Sequence, residues 1–546
     1  MSGIPNNTSA SAINEEEYIP GYLNNAEQQQ QQQQYQENDN SGTPGLLTSA
    51  TILYLMFSAG LYMTMDAVIY IPIANELNAL SRAEWIVSGY MITVTALQPI
   101  YGKLSDILGR VPAMGFGLLM LLIGSVIAAT AQSMDVLIAS RAIQGIGSAG
   151  ILSMANVLIA DLYPERARAR FMGIASGIWS VAASGSAVLG GAITQLSSWR
   201  VAYWVNVPIC VTAAAAVAWT IRVPLPSGTL KEKVRKIDFG GSAISLASML
   251  LILLALSWGG RDYAWGSAAV LCCLVFGIVL AFLFFVYESK IPAEPIVPLR
   301  VLGTRNVALS FIGHLFFGAI TYAPLIFIPQ WALLVQNTTP ITSGLYVLPF
   351  SLSELVAVVA VGAWVTHTGR YRESVWVGSL LMVSGLTPLV MLDQNHAIGR
   401  VVGFQIIAGV GFGMCIQTLL LTAQVSCDDQ DLASVTALCL FMRSLGAVLV
   451  VAVLSSVNGN TLQTEFARIT MQYPGYADEI ARVRENQSLI HKLELPRELV
   501  DLLISGFMKS MRATFIALIP FSTLFVVSVV GIKHVPLRKT KKTTIQ

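Results

Sequence analysis

The chain has 546 residues, 54% of them hydrophobic and only 12% charged, with a net charge of +2 and a mean hydropathy of +0.63. Soluble domains carry about 25% charged residues, so this is the composition of an all-α polytopic membrane protein. No basic tract is long enough to cover a phosphate backbone, which excludes a nucleic-acid binder.

Residues 1–45 are polar and include seven consecutive glutamines, Gln28 to Gln34. They hold too little apolar surface to offset the entropy of ordering, and are read as a disordered cytoplasmic tail. No charged run followed by a short apolar core occurs there, so the first span is expected to serve as its own uncleaved signal.

A bilayer core takes about 20 apolar residues per helix. That window finds fourteen spans, near 49–73, 85–104, 112–131, 135–160, 171–195, 201–221, 239–258, 266–287, 307–335, 342–364, 375–392, 400–424, 433–456 and 513–532. Lys and Arg gather in the short loops of one side: Lys103 and Arg110, then Arg166, Arg168 and Arg170, then Lys231, Lys233, Arg235 and Lys236, then Lys290, Arg300 and Arg305, then Arg370 and Arg372. The tail 534–546, with Arg538, Lys539, Lys541 and Lys542, ends on that side too. By the positive-inside rule it is the cytoplasm, and both termini share it.

The longest loop, 457–511, then lies on the opposite face. Its stretch LPRELVDLLISGFMKSM, 495–511, places Leu495, Leu499, Leu502, Leu503 and Phe507 at helical intervals, which predicts a helix in the membrane interface.

The chain repeats itself. GKLSDILGR, 102–110, and GAWVTHTGR, 362–370, share Gly at the first and eighth positions and Arg at the ninth, at an offset of 260 residues. RAIQGIG, 141–147, and QIIAGVG, 405–411, share two glycines at an offset of 264. This predicts two six-helix bundles, 46–222 and 291–533, with a linker and two inserted helices at 223–290. Halves related by an axis along the membrane normal are a transporter architecture with its solute near midplane. In the opening motif, Gly102 and Gly109 allow a tight turn and close helix approach. Lys103, Asp106 and Arg110 are then a latch against the facing half.

Ionisable residues inside spans cost at least ~2.5–3.5 kcal/mol to insert, and are functional candidates by default. Asp66 in the first span and Arg141 in the fourth each stand about seven residues from the same face, roughly 10 Å deep at 1.5 Å per residue. Two readings stay open: a carboxylate that binds a proton or a cationic solute with Arg141 tuning its charge, or a permanent structural ion pair. Glu354 and Arg443 form a second candidate pair near midplane. His314 reads as a packed histidine. Gln144, Asn156, Gln330, Gln405, Gln417, Tyr322, Trp179 and Trp331 offer amides and aromatics for a mostly apolar pocket. The six cysteines, Cys210, Cys272, Cys273, Cys415, Cys427 and Cys439, lack the spacing of a disulfide framework or a zinc site, and neither metal nor cofactor is expected.

Residues 46–533 resemble the major facilitator superfamily, in its fourteen-helix drug:proton antiporter branch, and most closely the fungal members that include vacuolar basic amino-acid transporters and multidrug exporters. The resemblance rests on GKLSDILGR, on RAIQGIG, on WRVAYWVNVPI at 199–209, on EPIVPLRVLGTRN at 294–306 and on FMRSLG at 441–446, all in the family's order. One segment departs from the family's pattern: SAVLGG, 186–191, keeps Gly190 and Gly191 of the fifth-span antiporter signature but has Ser186 and Ala187 where the family has Gly-Pro. Tyr62 stands where the family's first span usually has Asp, with Asp66 one turn further along.

The resemblance implies a monomeric, proton-coupled carrier of small cationic or amphipathic organic solutes, in a vacuolar or plasma membrane. The alternatives are a facilitator without proton coupling and a nutrient receptor that does not transport. An enzyme is not expected, since the five histidines are scattered and no nucleophile meets a base or metal ligands at one depth. No GxxxxGK[ST] segment occurs to couple the chain to a nucleotide.

Overall fold

The computed structural model describes residues 45–77, 79, 82–83, 85–223, 232, 238–260, 263–290, 297, 299–338, 340–391, 398–485, 490 and 493–537. The N-terminal tail up to residue 44, most of the basic linker and the tail beyond 537 lie outside them. Within them the chain is helical: α1 Leu46–Thr64, α2 Asp66–Glu76, α3 Trp85–Leu108, α4 Arg110–Ala129, α5 Met134–Leu162, α6 Glu165–Leu196, α7 Arg200–Thr220, α8 Phe239–Trp258 and α9 Ala268–Lys290. A short α10, Leu299–Leu302, precedes α11 Arg305–Leu334, α12 Pro340–Leu345, α13 Leu348–Thr368, α14 Tyr371–Leu386, α15 Ile398–Gln424, α16 Leu432–Gln472, α17 Ala477–Glu485 and α18 Arg497–Val530.

Among the described residues twelve helices, rather than fourteen, are long and apolar enough to cross a membrane. The two expected spans outside that set are α3 and α6, of 24 and 32 residues. Both have the length to cross. Helix α3 carries Gln98 and Pro99 among its apolar residues, and both pack on the facing half, α3 against α16 and α6 against α13.

The last loop also differs from expectation. In place of a free loop with a separate surface helix, α16 runs unbroken for 41 residues and α18 for 34. At 1.5 Å per residue they reach about 60 and 50 Å, well beyond a hydrocarbon core of about 30 Å. Leu499, Leu503 and Phe507 are buried against Phe466, Ile469, Ile480 and Val483, so the periodic leucines pack a helical extension of α18 and α16.

The repeat seen in the sequence recurs in the packing. A methyl group on Gly145 would strike the Tyr90 carbonyl, and one on Gly409 the Phe350 carbonyl. Gly147 abuts Gly117 and Leu121, while Gly411 abuts Gly378 and Met382; Gly124 abuts Ser140 and Gln144, while Gly385 abuts Phe404 and Ala408. These contacts map onto each other at offsets of 260, 261 and 264 residues. Backbones come this close only where there is no Cβ, which is what small residues supply at membrane helix interfaces.

The two motif glycines also do the same work. Gly102 of α3 faces Ala437 and Ala433 of α16; Gly362 of α13 faces Gly173 and Ala169 of α6. Gly109 and Gly369 then turn the chain at φ 104° and 74°, the left-handed range that glycine enters without a Cβ clash.

Candidate functional site

Asp66 opens α2 directly after the helix break at Met65. Its Oδ2 lies 2.7 Å from Arg141 Nη2, with both side chains almost fully buried, and Tyr203 donates its hydroxyl to Oδ1 at 2.6 Å. Arg141 is held on every side: Nε donates to the Ile86 carbonyl at 3.1 Å, Nη1 donates to Gln144 Oε1, and the guanidinium stacks 4.3 Å from the centre of the Tyr90 ring. Gln144 in turn donates to Ser125. The two charges placed at one depth by sequence are thus brought together, in a pocket of groups from α2, α3, α4, α5 and α7. Tyr203 and Tyr90 were not singled out beforehand; they sit at apolar stations of WRVAYWVNVPI and of the second span, where an aromatic reads as core.

Beside this pair stands the fifth-span variation. Ser186 is fully buried, hydrogen-bonds Thr64 at the end of α1 and donates to the Ala183 carbonyl at 2.8 Å. Gly190 lets α6 close on Met65 and Ile69 at the helix break, and Gly191 follows it in α6.

The second pair behaves otherwise. Glu354 of α13 is 7% exposed and Arg443 of α16 is partly buried, and no ion pair within 4 Å joins them. Equal depth left the facing of each helix undetermined. Here the Arg443 backbone is pressed against Gly318 of α11. His314, expected as packed, is 1% exposed with Nδ1 2.7 Å from the Ser310 carbonyl. Gln330 is partly buried and Gln405 is 2% exposed.

A cavity of about 600 Å³ opens between α1, α6 and α13, lined by Leu53, Tyr54, Phe57, Gly177, Leu355 and Val359 among others. Its wall is apolar, and neither Asp66, Arg141 nor Glu354 lines it.

At the end bearing the basic loops, helices of the first repeat close on those of the second. Ser434 donates to Asp106 Oδ2 at 3.3 Å, Thr366 to the Arg166 carbonyl at 2.9 Å, Gln417 to Ser176, and Arg168 Nη1 to Gln424 Oε1 at 3.5 Å. The expected latch is therefore rearranged: Arg110 pairs with Asp106 at 2.5 Å and Asp161 at 2.9 Å inside its own half, and Asp106 carries the contact across.

Arg168, read as a loop cation, is 7% exposed. It clasps the Ala160 carbonyl at the end of α5 and Gln424 at the end of α15, two residues that the repeat makes equivalent at an offset of 264. Gln424 also donates to Thr436 at 3.0 Å. Hydrogen bonds to charged groups contribute about 1.5–3 kcal/mol, so Gln424→Leu is expected to weaken the seam by that order. A lowered thermal midpoint of the detergent-solubilised chain, with Gln424→Glu retaining the native value, checks this.

A bundle of membrane-length helices, doubled in its packing and closed at one end over buried ionic groups, defines a membrane transporter. The family model of the Major Facilitator Superfamily matches residues 50–451, and the chain belongs to that superfamily. It is 32% identical over 415 residues to the efflux pump dotC of Dothistroma septosporum, covering 75% of this chain and 72% of that one. It is 30% identical over 469 residues to the efflux pump FUS6 of Gibberella moniliformis, covering 84% and 83%. Among solved structures, the human organic anion transporter MFSD10 superposes with a TM-score of 0.54 at 16% identity, covering 89% of this chain and 99% of that one. A bacterial homolog of the human lysosomal transporter Spinster, inward-facing and unoccupied, gives 0.53 at 15%, covering 89% and 96%.

Proposed function

We propose that this protein is a proton-coupled secondary transporter that exports small cationic or amphipathic organic solutes from the cytoplasm by alternating access. Two six-helix halves, 46–222 and 291–533, rock about the seam, with 223–290 inserted between them. The observation that carries the reading is Asp66: a buried carboxylate at a helix break, satisfied by one cation and one hydroxyl. An opposite charge nearby favours the ionised form, and its withdrawal favours protonation. A rearrangement within the first half that draws Arg141 from Asp66 as the halves rock therefore couples proton uptake to conformation. Glu354, with no ion pair within 4 Å among the described residues, serves as the second protonatable group in the facing half.

The seam closed at the basic end, taken as cytoplasmic, corresponds to the state in which solute leaves outward. The apolar groove beside Leu355 suits the hydrophobic part of an amphipathic solute. Relatives named efflux pumps support the export direction.

The test is flux of ethidium into proteoliposomes with and without an imposed pH gradient. Native protein is expected to accumulate the dye several-fold above the protein-free control only with the gradient, and Glu354→Gln to lose most of that accumulation. Accumulation that ignores the gradient would leave a facilitator.

A further inference from the structure

The repeat assigns Gln405 of α15 to the station that Arg141 holds in α5, at an offset of 264. In the first half that station is filled: Arg141 donates to Asp66, Gln144 and the Ile86 carbonyl. In the second half it is unmet. Gln405 is 2% exposed, and neither its Oε1 nor its Nε2 has a hydrogen-bond partner among the described residues. Trp331 of α11 is fully buried, and its Nε1 is without a partner as well.

The two unmet residues share a neighbour. Gly409 lies against the Phe350 carbonyl where α15 and α13 run side by side in the same direction. At the offset of 260 that pairs Phe350 with Tyr90, Tyr346 holds the station of Ile86, whose carbonyl accepts from Arg141, and so stands beside Gln405 as Ile86 stands beside Arg141. The Tyr346 ring meets Trp331 edge-on, with centroids 6.0 Å apart. Buried hydrogen-bonding groups in proteins are almost always partnered, so three orphans beside one aromatic edge point to a ligand.

We infer that Gln405, Trp331 and Tyr346 form a recognition site for an uncharged, oxygen-bearing group of the transported solute, a carbonyl or hydroxyl. The amide supplies two donors and an acceptor, and the indole a donor only. A carbonyl oxygen takes both N–H groups, and a hydroxyl also donates to Oε1. Among the described residues no ionised side chain hydrogen-bonds Gln405, so a bare cation finds no counter-charge at the amide. The site rests on the transport reading and narrows it: the solute carries a neutral polar end for the second half, whatever it presents to Asp66.

The experiment is equilibrium binding to the purified full-length chain in nanodiscs, using methoxycoumarin, a neutral lactone, against ethidium, a cation without a carbonyl. Gln405→Leu and Trp331→Phe are each expected to weaken methoxycoumarin about tenfold, as the loss of one well-made hydrogen bond does, and to leave ethidium within about twofold. Gln405→Met, closer in shape, stands in if the leucine variant does not fold. Native protein that binds no lactone, variants that bind it as well as native, or an equal fall for both probes would each overturn the site. Absence of pH-driven ethidium flux in the native chain would instead sink the transport reading and leave these binding results standing.

Discussion

Asp66→Asn is expected to abolish gradient-driven accumulation of ethidium and to lower the stability of the solubilised chain by about 3–5 kcal/mol, the usual result of stranding one member of a buried ion pair. The first loss follows from the proposed coupling role, the second from the geometry. Arg141 keeps Gln144 and the Ile86 carbonyl but loses the carboxylate 2.7 Å away. The double variant Asp66→Asn/Arg141→Met separates the two. With neither charge buried, stability returns toward native, because an apolar side chain in place of an ion pair is often neutral or better. Flux is expected to stay lost, because among the described residues no carboxylate remains at the break between α1 and α2. Should the double variant accumulate dye in response to pH, the pair is scaffolding and Glu354 alone carries the proton.

Gly102→Val is expected to force the basic end of the seam apart. A β-carbon on Gly102 would fall 2.7 Å from the Ala437 Cβ and 3.1 Å from the Ala433 carbonyl. Overpacking of this kind costs about 1–3 kcal/mol, and because only the closed seam suffers it, the equilibrium moves toward the open one. Each 1.4 kcal/mol is about tenfold in population. With the other five cysteines replaced, alkylation of Cys439, fully buried beside the seam, should therefore quicken about tenfold, and outward flux should fall. Moving one methyl across the seam, as Gly102→Ala with Ala437→Gly, restores both. Gly115→Val is the control, since nothing lies within 4 Å of a side chain there. Unchanged alkylation in Gly102→Val would show that this crossing does not hold the gate.

Much of this was legible in the residues, and each shortfall has a physical source. The glycine spacing of GKLSDILGR and GAWVTHTGR could be read because a turn at positive φ and a backbone crossing both exclude side chains. Asp66 and Arg141 could be matched because both sit about two turns from a shared face. The same argument failed for Glu354 and Arg443, where depth says nothing of azimuth around the helix. Arg168 was hidden in a cluster that the positive-inside rule explains equally well. The polar run after residue 456 looked like loop because hydropathy detects lipid contact, and a helix that has left the lipid no longer needs it.

The length of α16 has a mechanical meaning. One end of this rod carries Ala433, Ser434 and Ala437 against Gly102, and the other carries Leu462, Phe466 and Ile469 into the projecting helical cap with α17 and α18. A single unbroken lever thus joins surfaces on opposite sides of the bilayer. Whatever grips the projecting tip, an antibody fragment for instance, brakes the hinge some 60 Å away by leverage, without entering the solute's path.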